Sequence, residues 1–111
     1  MPRDYKVYLE DILEAIRRIR EYTAGTSRAA LERDTRTTDA VLRNLEIVGE
    51  AVKGLPASLR EAESGVEWRK IAGLRDVLAH AYFDVDLDIV WDVLESKLPA
   101  LEIEVRRILG E

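Results

Sequence analysis

The run Arg75-Asp76-Val77-Leu78-Ala79-His80-Ala81-Tyr82 sets the only histidine of this chain in the pattern Arg-x4-His-x-Tyr. Histidine has an ordinary pKa of about 6.5, so it can take or give a proton near neutral pH. Arginine is a permanent planar cation whose fork of donors fits a phosphate at two points and stabilises charge building on its oxygens. Together the two suit phosphodiester chemistry, with Arg75 and His80 as the candidate catalytic pair. In a helix, five residues advance the chain by about 7.5 Å and turn it by about 140°, so Arg75 and His80 do not stack on one face. They converge only at a helix end. Asp76 and His80, four apart, do share a face, so the carboxylate can orient the imidazole or favour its charged form. On spacing alone, the same letters also fit a half-buried histidine at a helix end beside ordinary surface charge, since short motifs recur by chance.

The elements that must position these residues come from a chain of 111 residues, enough for one domain and one core. Apolar residues make up 47% and charged residues 35%, with 22 acids against 17 bases and a net charge of -5. That sign is wrong for a general nucleic-acid binder, so any RNA contact must be local. With no cysteine and one histidine there is no disulfide framework, no thiolate site and no His-rich metal centre, and neither a metal nor another cofactor is expected. No apolar run approaches the roughly 20 residues that span a bilayer. Met1-Pro2-Arg3-Asp4 leads straight into an amphipathic pattern without a signal-peptide core. The expected location is the cytoplasm, with no membrane contact.

Apolar residues at three- and four-residue steps define the helices. Tyr5, Leu9, Ile12, Leu13, Ile16, Ile19 and Tyr22 predict a first helix over 4–23, capped by Asp4 and stopped at Gly25. Ser27 opens a short capped helix or turn. Ala40, Val41, Leu45, Val48, Ala51 and Val52 predict a second long helix over 35–54, with Arg43, Glu46, Glu50 and Lys53 mostly outside the stripe. Gly49 inside it costs about 1 kcal/mol relative to Ala, which points to another helix crossing closely. A short helical turn follows at Pro56–Arg60. A third main helix starts near Trp68, with Gly73 as a second point of close approach, and ends near His80. The negative end of that helix favours the imidazolium form, making His80 the readier proton donor. Asp84 or Asp86 caps a fourth helix whose stripe is Leu87, Val90, Trp91, Leu94 and Leu98, and Pro99 either kinks it or restarts it before Leu101, Val105, Ile108 and Leu109. Trp68 and Trp91 both sit in apolar stripes and are read as core rather than as platforms for bases. With no strand signal, repeat or linker, the expectation is one all-α domain over 1–111. It is a compact antiparallel bundle of four main helices plus short helical turns.

Trp68 to Phe83, followed by Val85-Asp86-Leu87-Asp88-Ile89-Val90-Trp91, closely resembles the HepT-like branch of the HEPN superfamily. Arg43-Asn44-Leu45-Glu46-Ile47-Val48-Gly49-Glu50-Ala51 resembles the second characteristic block of that branch, and the order and spacing of the two blocks agree. The resemblance implies a small helical two-fold dimer acting as the ribonuclease toxin of a prokaryotic toxin–antitoxin pair of type II or a type VII-like kind. It makes Arg75 and His80 the active-site signature and puts Asp76 at the polar position after the arginine. Tyr82 matches the tyrosine to which a minimal nucleotidyltransferase antitoxin transfers AMP. The partners so implied are a second copy of the chain, the cognate antitoxin and an RNA substrate.

A metal-free route is consistent with these constraints: the 2'-hydroxyl of RNA attacks the adjacent phosphorus, with a base, an acid and a cation supplied by the protein. One chain offers one histidine, so a dimer bringing both His80 and both Arg75 residues to one cleft would complete the set. The competing expectation is a non-catalytic subunit that binds nucleotide or substrate for a minimal nucleotidyltransferase. A dimerising bundle without a ligand is the third.

Overall fold

In the structure, a computed structural model, residues 4–81 and 86–111 are described, with backbone alone for 76–81. All regular structure among them is helical: α1 (Tyr5–Thr23), α2 (Arg28–Arg33), α3 (Thr35–Gly54), α4 (Ala57–Ala62), α5 (Trp68–Ala81), α6 (Leu87–Asp92) and α7 (Leu98–Ile108), with a π-helical turn, Val93–Lys97, joining α6 to α7. The all-α expectation holds, with α1, α3, α5 and the continuous α6–α7 rod as the main helices. No described helix is long and apolar enough to cross a membrane.

Local sequence sets most of the helix boundaries. Asp4 accepts from the Lys6 amide, Ser27 from Ala30, Asp34 from Thr37 and Asp86 from Asp88, so each start has a side chain satisfying an amide that the helix leaves open. Asp86 is thus the cap of the fourth main helix, while Asp84 lies outside the described residues. Gly25, at φ +70°, takes the left-handed turn after α1.

The core is built from Leu9, Ile12, Ile16 and Ile19 of α1 against Val41, Leu45, Val48 and Val52 of α3, closed by Trp68 and Ala72 of α5 and by Leu98, Leu101 and Val105 of α7. A buried aliphatic side chain of this size contributes about 1.5–3 kcal/mol, so these facing stripes hold the helices together. Tyr5 and Tyr22, read as part of the α1 stripe, are instead exposed near its two ends. Trp68 is core, and its indole N–H donates to the Glu63 carbonyl at 2.9 Å. Trp91 is only half-buried.

Pro99 stands in the first turn of α7, so the α-helix restarts there, and it does so without a gap after α6. A proline has no N–H to give and its ring crowds the carbonyl four residues back, at Glu95. The chain widens into the π turn just before it, with the Leu98 N–H bonded to the Val93 carbonyl five residues earlier. The buried positions therefore run Val90, Val93, Leu98, Leu101 and Val105, taking one step of five across the widened turn. Leu94, expected in the stripe, is left half-buried.

Candidate functional site

The charged side of α3 forms one wall of the site. The start of α1 meets the end of α3: a Cβ on Gly54 would stand 2.7 Å from Cζ of Tyr8, so that ring lies on bare backbone and the two helices run antiparallel. On its other flank α3 meets α5. A Cβ on Gly49 would fall 2.8 Å from the Arg75 Cβ, 2.9 Å from its backbone nitrogen and 3.2 Å from the Ile71 carbonyl oxygen. Gly49 is therefore the close crossing that its cost in a helix interior predicts, and the residue placed over it is Arg75. Gly73 is different. No described atom comes within 4 Å of a Cβ there, so among the described residues nothing makes the close approach expected of it.

Between these flanks lies a cleft of about 590 Å³ lined by Tyr8 and Asp11 of α1, by Arg43, Glu46, Ile47, Glu50, Ala51, Lys53 and Gly54 of α3, and by Arg75 of α5. Arg75 Nε lies 3.0 Å from Glu50 Oε2, with the two side chains 43% and 65% exposed, so solvent and a ligand reach the pair. Arg43 pairs with Glu46 at 3.7 Å on the same wall. The cleft thus mixes three cations with three carboxylates.

Arg75 is the one candidate whose side chain is described. The side chains of Asp76 and His80 and all of Tyr82 lie outside the described residues; the described backbone of α5, Trp68–Ala81, carries Asp76 and His80. The charged residues of α3 had no assigned role in the sequence. Their signal was Gly49: a glycine inside a long helix marks a crossing, and its neighbour Glu50 then falls beside whatever crosses there.

The two blocks singled out in the sequence thus meet in space, and the match extends along most of the chain, with residues 12–108 fitting the family described as ribonuclease HepT-like. The chain belongs to this family. Among HepT-like relatives, a protein of Caldanaerobacter subterraneus subsp. tengcongensis named "Putative RNase TTE0752" is 44% identical over 102 residues, covering 92% of this chain and 91% of its own. The "Probable ribonuclease HepT" of Thermococcus cleftensis is 41% identical over 102 residues, covering 92% of this chain and 93% of its own. A "Gamma-glutamylcyclotransferase and putative RNase MJ0434" of Methanocaldococcus jannaschii is 40% identical over all 111 residues, and here the chain spans only 50% of the relative's length. No solved structure matches the HepT-like chain significantly.

Proposed function

We propose that this HepT-like chain is an endoribonuclease that cuts RNA without a metal, through a composite site shared by two copies of the chain. The carrying observation is the meeting of the two family blocks: Arg75 is held over Gly49 in a solvent-open cleft that also contains Arg43 and Lys53. In this mechanism Arg75 binds the scissile phosphate and stabilises the charged phosphorane, and His80 acts as acid or base, its tautomer set by Asp76. The 2'-oxygen forms a bond to phosphorus as the bond to the 5'-oxygen breaks, leaving a 2',3'-cyclic phosphate and a 5'-hydroxyl. The second copy supplies the other histidine, because the base and the acid are needed in the same step.

In the cell the protein acts as the toxin of a toxin–antitoxin pair. A minimal nucleotidyltransferase silences it when the Tyr82 oxygen attacks the α-phosphorus of ATP and releases pyrophosphate, leaving AMP on the tyrosine. The added negative charge and purine then oppose entry of a substrate phosphate beside Arg75. Incubation with the cognate nucleotidyltransferase and ATP should add one AMP mass to the Tyr82 peptide, and an unmodified peptide removes this part.

The experiment for the nuclease is cleavage of a mixed cellular RNA pool in EDTA by purified, unmodified protein beside His80→Ala, with the product ends analysed. Metal-independent cutting that leaves cyclic phosphates and disappears in the variant is the expected result. The carboxylates in the cleft and the net charge of -5 favour one competing reading, a non-catalytic subunit presenting nucleotide or substrate to a nucleotidyltransferase. No cutting by protein of confirmed unmodified mass would select it.

A further inference from the structure

We infer that Glu50 is a positioning residue for Arg75, holding the guanidinium in the orientation in which it meets a phosphate; this rests on the ribonuclease reading of the cleft. Three observations converge on Glu50. It follows Gly49, the residue on which the backbone and Cβ of Arg75 are seated, so the stem of the arginine is fixed beside it. Its Oε2 then lies 3.0 Å from Arg75 Nε, at the far end of the same side chain. Both residues line the cleft rather than the core.

An arginine has four side-chain torsions and loses much entropy when it must meet a phosphate in one geometry. Packing against Gly49 restrains the first part of that chain, and a carboxylate at Nε restrains the last. The guanidinium is thereby ordered before substrate arrives, which is the condition for its charge to act on the phosphorane rather than on solvent. The same carboxylate repels a bound phosphate, so its contribution shows in the rate of the step rather than in RNA affinity.

That split is the test. Glu50→Gln preserves shape and removes the charge at an exposed position, and its thermal stability is measured beside the wild type to confirm the fold. Cleavage of an RNA oligonucleotide should fall about 2- to 5-fold in kcat, the most that an exposed pair of this kind can contribute by ordering the guanidinium. Binding of the same oligonucleotide with 2'-O-methyl groups, which cannot be cut, should stay equal or tighten. A packing role would leave kcat unmoved in the isosteric variant, and a purely repulsive role would raise it; either result overturns the inference. The Arg75 Nε–Hε resonance gives a readout independent of cleavage: it should be sharp and shifted in the wild type and change position and broaden in the variant. Should the wild type cut no RNA, the ribonuclease reading fails, and this resonance alone decides whether Glu50 orders Arg75.

Discussion

Gly49 and Arg75 are in such close register that a single added methyl would bring two Cβ atoms to 2.8 Å. The atom in the way belongs to the stem of Arg75 beside its backbone, so relief requires α5 to move away from α3. Overpacking of this kind costs about 1–3 kcal/mol, while replacing a helical glycine by alanine returns about 1 kcal/mol. Gly49→Ala should therefore lower the melting temperature and, by displacing Arg75, reduce RNA cleavage. Gly73→Ala has no described atom in its way and should raise the melting temperature of the chain. Thermal denaturation of the two variants side by side reads the opposite signs.

Arg75→Lys separates charge from shape. Lysine keeps the cation but not the fork that grips a phosphate at two points, and it places its charge as a single point on a flexible stem. The exposed pair with Glu50 is worth about 0–1 kcal/mol, so the fold should be untouched. Cleavage should drop by at least about tenfold with no change in melting temperature, matching the factor that about 1.4 kcal/mol of lost transition-state contact gives. Retained activity would mean that charge alone suffices.

Trp68 closes the core with its ring and the α4–α5 connection with its N–H, which donates to Glu63 at 2.9 Å. Trp68→Phe keeps an aromatic body but removes that hydrogen bond, leaving the Glu63 carbonyl only the Val66 N–H at 3.2 Å. Losing one hydrogen bond costs about 0.5–1.5 kcal/mol, and the smaller ring adds a packing loss. Urea unfolding should show a lower midpoint with an unchanged slope.

On the outer face of α1, Glu14 accepts hydrogen bonds from Arg17 and Arg18, and these two cations lower its pKa from 4.5 to about 2. Because the folded value lies below the unfolded one, the contribution of this cluster is present above pH 4.5 and is lost as pH falls towards 2. Glu14→Gln should flatten the acid side of the stability profile in that window and leave neutral-pH cleavage unaltered. Carboxyl NMR titration of Glu14 gives the shift directly, and a midpoint at the ordinary glutamate value would contradict it.

Much of the fold was legible because its signals are local. Asp4, Ser27, Asp34 and Asp86 cap amides within a few residues of themselves, and the stripes of α1 and α3 read directly as Leu9–Ile12–Ile16–Ile19 and Val41–Leu45–Val48–Val52. Such patterns depend on neighbours along the chain, and the sequence by itself determined them. It also marked the Arg75 segment, because arginine and histidine carry their chemistry in any surroundings. Periodicity blurred near Leu94, which packs half-buried against the core while the π turn ahead of Pro99 sets the buried places at Val93 and Leu98. Tertiary structure alone decided what Gly49 is for, since it looks like Gly73 in sequence and only the structure places Arg75 of another helix against it. It alone brought Glu50 to Arg75 across 25 residues of chain. Charged side chains on a helix surface carry no mark of the partner they will face; that is set by how the apolar stripes beneath them dock, and here the α3–α5 crossing at Gly49 set it.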